Sequence, residues 1–468
     1  MQVQWWGVIP FAIMLATIAV APLVPATREL WERQRVQLQV SLLLGLPVAI
    51  WFLAASEGQA VVHALVEYGQ FIMLLLALFV VSGGIFLAGD IRATPRVNTA
   101  FLAVGSVLAS FIGTTGAAML LIRPLLNTNA ERVHRVHTVV FTIFIVANTG
   151  GLLTPLGDPP LFLGMLRGVP FTWTFNLFPE WLFVNLVLLA TYYGLDHRLW
   201  RSEPKEARQR DTTRVEPLRV HGAIHFLYLA MIVLSVAFAP SVDVQAIEEG
   251  HATWYQWIPW REIIMLSVSM ASFFTGPRTA RFRDNRFTWG PIQEVAAIFI
   301  GIFLTMIPAL RYLAQVAPEL PLNRLTFFYF TGGLSAVLDN APTYLTFFEM
   351  AQQLGGEPSV AEVWEPFLVS ISLGAVFFGA VTYIGNGPNF MVKAVADSAG
   401  VTMPSFGGYV VLAFRYLVPV LVAMSLIFIS GVGWAQIAGW VLTGLLLLRA
   451  LRSLVMKPRQ ETRVEDAS

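Results

Sequence analysis

The sequence predicts an all-α polytopic membrane protein of about eleven transmembrane helices plus two re-entrant hairpins, arranged as inverted structural repeats with broken helices. Three observations carry this. Of 468 residues, 56% are hydrophobic and 13% charged, and the mean hydropathy is +0.65. Uninterrupted apolar stretches of about 17–25 residues, the length that crosses a bilayer as a helix, recur along the chain. Two pairs of short motifs recur at nearly the same offset, 228 and 225 residues.

Hydropathy and polar punctuation give spans near 5–23, 37–55, 68–88, 138–168, 176–194, 222–240, 261–275, 292–310, 366–396, 406–428 and 433–451. The N-terminus lacks the basic region of a cleaved signal peptide and reads as the first span. Cytoplasmic loops carry the Lys/Arg excess. The loop with Arg28, Arg33 and Arg35 is basic, whereas 56–67 has no Lys or Arg. Arg92 and Arg96, then Arg198, Arg201, Lys205, Arg208, Arg210, Arg214 and Arg219 in 195–220, are cytoplasmic on this rule. So are Arg278, Arg281, Arg283 and Arg286 in 276–290, and the tail with Arg449, Arg452, Lys457 and Arg459; loop 241–260 is acidic. The alternation puts the N-terminus out and the C-terminus in, in an expected bacterial inner membrane.

Segment 98–126 has basic loops on both sides, with Arg132 and Arg135 following it. A single crossing would strand one loop on the wrong face, so the segment is expected to be a hairpin entering from the cytoplasm. Segment 325–350 is followed by acidic 351–365 and is expected to enter from outside, although Arg311 and Arg324 precede it.

Internal repetition supports the pairing. TPLGDPP at 154–160 and TYIGNGP at 382–388 lie 228 residues apart. The hairpin midpoints at 110 and 335 are 225 apart, and span starts at 37/261, 68/292 and 176/406 differ by 224, 224 and 230. An odd number of crossings between equivalents inverts the second copy, a recurring transporter plan. The chain thus divides into an N-terminal span and loop (1–36), repeat 1 (37–194, hairpin 98–126, broken helix 138–168) and a linker with a connecting span (195–260). Repeat 2 (261–428, hairpin 325–350, broken helix 366–396) and a C-terminal span with tail (429–468) complete it.

Pro155, Gly157, Pro159 and Pro160, and Gly385, Gly387 and Pro388, cannot continue a regular helix. Unwound backbone at membrane depth is tolerated only inside protein or along a wet cavity. Freed carbonyls, hydroxyls and carboxylates are hard oxygen ligands that suit a small hard cation. Asp158 lies in the first break, matched by Asn386. Asp339 and Asn340 lie at the second hairpin tip, matched by Thr114 and Thr115. The expected ion- or substrate-binding set is therefore Asp158, Asp339, Asn340, Thr114, Thr115, Thr154, Thr382, Asn386 and Asn389, with Asp158 and Asp339 holding Na⁺. Intramembrane carboxylates mark ion or proton paths. A proton and a bound cation each neutralise such a group and exclude each other, which implies Na⁺ and H⁺ as transported ions. The plainer alternatives are that each Asp caps a helix and that each Thr bonds a neighbouring carbonyl.

Arg123 and Lys393 could attract an anion or snorkel to the interface; Glu262, Glu294 and Glu349 fall near span ends as solvated or paired residues; Arg415 lacks a nameable partner. His134 and His137 read as surface residues. No cysteine is present, and no H-E-x-x-H, G-x-S-x-G or P-loop occurs, so neither an enzyme, an ATP-driven pump nor a resident cofactor is expected. No basic block suggests nucleic acid. The expected partners are the lipid bilayer, small inorganic ions and a second copy in a homodimer.

TTGAAMLLIRPLL at 114–126, NTGGLLTPLGDPP at 148–160, SAVLDNAPTYL at 335–345 and IGNGPNFM at 384–391 resemble the ion transporter superfamily. The first-named branches are the NhaD-type sodium/proton antiporters, arsenite permeases and citrate or dicarboxylate symporters. The S-A-V-x-D-N-x-P and N-x-G-G-x-x-T-P-x-G-D patterns are similar to those of the NhaD-type antiporters. The chain also resembles a CitMHS-like citrate-transporter subgroup. The resemblance implies ion binding by Asp158, Asp339, Asn340 and neighbouring Thr and Asn residues, and a Na⁺/H⁺ antiporter by alternating access. The alternative is a cation-coupled carrier of citrate or another organic anion. The symporter branch has S-N-T signatures where this sequence has GTTG and LDNAP.

Overall fold

The computed structural model describes residues 2–22, 24–31, 33–204, 206 and 216–455. Lys205, Arg208, Arg210, Arg214, Lys457 and Arg459, used above to orient the chain, lie outside the described residues. Among the described residues, seven helices are long and apolar enough to cross a membrane, and four shorter apolar helices accompany them. The protein is an all-α polytopic membrane protein.

The long spans form where the sequence offers long apolar runs without paired breakers: Gln34–Ala54, Gly58–Ser82, Phe178–Ser202, Gly290–Val316 and Gly433–Val455. Proline inside a helix does not always end it. Pro47 and Pro308 sit within Gln34–Ala54 and Gly290–Val316. Helix Gln34–Ala54 packs on Gly290–Val316 at small residues. A Cβ on Gly301 would lie 2.7 Å from Ser41 Cα, so the two backbones approach as closely as intramembrane packing without a hydrophobic drive requires. Gln37 Nε2 donates to Glu294 Oε1 at 3.0 Å across the same contact.

Each hairpin is a helix–turn–helix. The first is Pro95–Ile112 and Thr114–Thr128, joined by Gly113 at φ +79°, a conformation that glycine adopts without steric cost. The second is Arg324–Ser335 and Asn340–Gln352. Each broken helix is likewise split: Val136–Ile145, a turn at Thr149–Leu152, then Pro159–Leu166; and Glu365–Phe378, a turn at Gly379–Val381, then Gly387–Ser398.

The two units are held by equivalent hydrogen bonds. Ser110 Oγ donates to Gly150 O at 2.6 Å, and Ser335 Oγ to Ala375 O at 2.6 Å. Thr154 Oγ1 donates to Ser110 O, and Thr382 Oγ1 to Ala336 O at 2.5 Å. The same hydroxyls accept from Leu156 N and Ile384 N, both at 3.2 Å. At both breaks two glycine backbones touch. A Cβ on Gly157 would lie 2.1 Å from Gly151 O, and one on Gly385 would lie 2.7 Å from Gly379 O.

Three expectations need correction. The third span is Gly58–Ser82, not 68–88; polar His63 and Glu67 fall within its first turns, and the Gly83–Gly84 pair follows its end. Segment 56–67 is therefore mostly helix. Residues Phe86–Asp90 instead pair antiparallel with Glu216–His221 as a two-stranded sheet, and a smaller pair joins Ser359–Val360 to Val363–Trp364. Phe86–Ala88 fall within the apolar stretch 68–88, whereas the other three strands lie outside the apolar stretches, where hydropathy has no signal. Arg281 is no free loop charge: it is buried, donating to Val80 O and Ser272 O and lying over Phe273 and Phe287.

The glycine contact at the first break is testable. Gly157→Ala should destabilise the folded protein by at least ~1–3 kcal/mol, the usual cost of overpacking. Gly444→Ala, where a Cβ meets nothing within 4 Å, should be near neutral. Thermal unfolding of detergent-purified variants compares the two.

Candidate functional site

Four helix N-termini meet at one carboxylate. Thr114 and Asn340 are the first residues of the second helix in their hairpins, and Asp158 and Asn386 immediately precede the second halves of the two broken helices. Proline at the start of both half-helices fits a position whose N–H has no intrahelical partner. Asp158 is 1% exposed. Its Oδ1 accepts from Thr114 Oγ1 at 3.2 Å and Asn386 Nδ2 at 3.1 Å, and its Oδ2 from Asn340 Nδ2 at 2.5 Å. Two of the three donors come from the second half of the chain.

Asp158 does not cap its own helix; no side-chain capping bond is made there. Asp339 does the opposite, with Oδ1 accepting from Ala341 N at 3.0 Å. The plainer reading thus describes the bonding of Asp339 and not that of Asp158. Asp339 sits next to Asn340, whose amide donates to Asp158.

The other expected residues divide in two. Thr115 lines the cavity beside Asp158, together with Thr114 and Gly387. Thr154 and Thr382 turn their hydroxyls to the hairpin carbonyls described above. Asn389 donates to Gly379 O at 2.7 Å and Thr382 O at 2.9 Å, which closes the second break. Its Oδ1 accepts from Asn148 Nδ2 at 2.7 Å, and Asn148 Oδ1 accepts from Asn386 Nδ2 at 3.1 Å. Asn148 joins this network although charge and break arguments passed over it: it lies inside the first break, between Ile145 and Pro159, but six residues before Thr154, where the Gly/Pro-rich motif begins. Its signal was its place at the head of the NTGG motif.

The site is electrically unbalanced. Burying an ion costs several kcal/mol unless a counter-charge compensates, yet among the described residues no Lys, Arg or His forms an ion pair with Asp158. Four helix N-termini offset part of that cost through their partial positive charges. Asn340 is fully buried, and while its Nδ2 donates to Asp158, its Oδ1 has no hydrogen-bond partner. An orphaned amide oxygen beside a carboxylate is the donor set of a hard cation.

Asp158 opens onto a cavity of about 220 Å³ that is mainly apolar, with Arg123, Asn285, Arg286 and Phe287 also on its wall. Arg123 is half-buried and shares the cavity wall with Arg286. Lys393 is taken up by Asp397 at 2.6 Å. Of the remaining charged residues, Glu262 pairs with Arg261 at 2.9 Å, Glu294 accepts from Gln37, and Glu349 pairs with Arg167. Arg415 is exposed with its guanidinium over the Tyr416 ring. His137 is not a simple surface residue: Nε2 meets Asp196 Oδ1 at 2.8 Å, and buried Arg132 reaches the same oxygen at 2.6 Å. The partner lies 59 positions away, beyond any local ligand spacing.

Two mycobacterial proteins, from Mycobacterium bovis and Mycobacterium tuberculosis, are each 24% identical to this chain over 332 residues. The match spans 68% of this chain and 73% of each relative, and both are named as uncharacterized transporters. A family model described as "putative citrate transport" matches residues 1–429. That span contains both hairpins and both broken helices, and the chain belongs to this family of integral membrane transporters.

Proposed function

We propose that the protein is a secondary active transporter exchanging Na⁺ for H⁺ across a bacterial inner membrane by alternating access. The observation that carries this reading is the uncompensated carboxylate of Asp158 beside the orphaned Oδ1 of Asn340. A proton on Asp158 removes the charge. A Na⁺ ion balances it instead, with Asp158, Asn340 Oδ1 and Thr114 Oγ1 as oxygen ligands after the amide of Asn340 turns over. The two occupants are mutually exclusive, and exclusivity at a site served alternately from each side is exchange. Asp339 adds negative potential within reach. The residue pattern of two units, each a hairpin and a broken helix, supports inverted repeats with the N-terminus outside and the cavity of Arg123 and Arg286 facing the cytoplasm.

One observation favours a second reading. Arg123 shares the cavity of Asp158, and helix N-termini directed at one point also attract anions. With the family's citrate description, this supports cation-coupled transport of citrate or another organic anion. Proteoliposomes separate the two. Exchange predicts Na⁺-driven proton movement without citrate; the second reading predicts Na⁺- or H⁺-dependent uptake of labelled citrate, abolished by Arg123→Gln.

Asp158→Asn should abolish Na⁺-driven proton movement in proteoliposomes while the protein still inserts and purifies; retained exchange would remove this carboxylate from the mechanism. Asp339→Asn keeps an oxygen for the helix cap and deletes the charge. It should raise the KM for Na⁺ about tenfold, equivalent to ~1.4 kcal/mol, with a smaller effect on maximal rate. Acidification should weaken Na⁺ binding by up to about tenfold per pH unit once the proton occupies the site, because the proton is released on binding. Na⁺ titrations of the purified protein at a series of pH values measure that slope.

A further inference from the structure

Arg167 immediately follows the half-helix Pro159–Leu166, whose other end begins after Asp158. At 1.5 Å per residue, the two are about 13 Å apart along one short rigid element. Phe162, on the same half-helix, lines the cavity that contains Asp158. Arg167 lines a second cavity, of about 520 Å³, together with Glu57, His63, Glu67, Arg311 and Glu349. The cavities share no lining residue, although Gly58–Ser82 contributes to both: Glu67 faces one and Phe71, a single turn on, faces the other.

At this boundary Arg167 Nε meets Glu67 Oε1 at 2.6 Å, its Nη2 donates to Glu67 Oε2 at 3.2 Å, and its Nη1 donates to Glu349 Oε1. One guanidinium thus joins three elements: the half-helix bearing the site, the span Gly58–Ser82 and the return helix of the second hairpin. Around the rim, Arg311 pairs with Glu57 at 3.0 Å and His63 with Glu248 at 3.4 Å. Tyr344 seals the interface between the half-helix and the hairpin; a Cβ on Gly164 would lie 2.3 Å from its hydroxyl. A guanidinium suits this role because its planar fork serves two carboxylates at once.

We infer that Arg167 is a positioning residue: bridging Glu67 and Glu349, it closes the transporter on the side opposite Arg123 and Arg286 and fixes the half-helix that presents Asp158. Any rearrangement that opens the second cavity to the site must break this bridge. The inference rests on the alternating-access reading, but its test needs no cargo, so a failure of Na⁺ exchange and a failure of the bridge are separate results.

The chain has no cysteine, so Leu75→Cys places one thiol on the wall of the site cavity. A membrane-impermeant methanethiosulfonate is applied separately to right-side-out and inverted vesicles. With Arg167 intact, labelling should come from the Arg286 side only. Arg167→Gln should raise labelling from the Arg167 side about tenfold, and so should Glu67→Gln combined with Glu349→Gln. Exchanging the charges as R167E/E349R should restore one-sided labelling, which a merely misfolded Arg167 variant would not predict. Equal labelling from both sides in the parent, or one-sided labelling unchanged in both bridge-breaking variants, would overturn the inference.

Discussion

A helix that breaks off inside a membrane protein leaves backbone groups without an intrahelical partner, and their resolution governs everything else in this structure. Each such group costs about 1–3 kcal/mol or more if orphaned. The solution is reciprocal: the tip of each hairpin supplies partners for the broken helix beside it. Thr114 N donates to Gly157 O at 2.8 Å, Ser110 Oγ donates to Gly150 O, and Leu153 N donates to Ser110 Oγ at 3.1 Å. Serine, threonine and glycine are required by this arrangement. The hydroxyls imitate backbone partners, and the glycines let two chains touch. Once the breaks are held, their exposed helix ends are fixed in place, and a carboxylate at one of them acquires a defined shell.

The fold was legible because its largest determinant, apolar length, is also the simplest feature to count. Span limits differed most at Gly58–Ser82, where His63 and Glu67 lie in a helix whose polar side chains face a cavity and an ion pair. Hydropathy penalises such residues wherever they point. The strand pair at Phe86–Asp90 and Glu216–His221 was invisible because its partners are separated by more than a hundred residues and carry no alternation.

The site was legible in part. Asp158, Asn386, Asn340 and Thr114 stood out as polar residues at breaks and tips, and these four are directly bonded. Thr154, Thr382 and Asn389 stood out for the same reason, yet the two hydroxyls donate to carbonyls and Asn389 bonds two carbonyls and the Asn148 amide rather than Asp158. Sequence marks a polar residue beside a break without saying whether it faces the break or the ligand. Arg167 carried no signal at all. It follows an apolar stretch like any interfacial arginine, and only the fold brings Glu67 and Glu349 to it.

Asn148, Asn386 and Asn389 form a chain of side-chain amides running from the first broken helix to the second. Asn386 also donates to Ala147 O at 3.3 Å and Asn148 to Ile143 O at 2.8 Å. The two interrupted helices are therefore laced together through their own gaps. A displacement of Asp158 that left the second broken helix behind would have to break these amide bonds, so the two gaps behave mechanically as one joint.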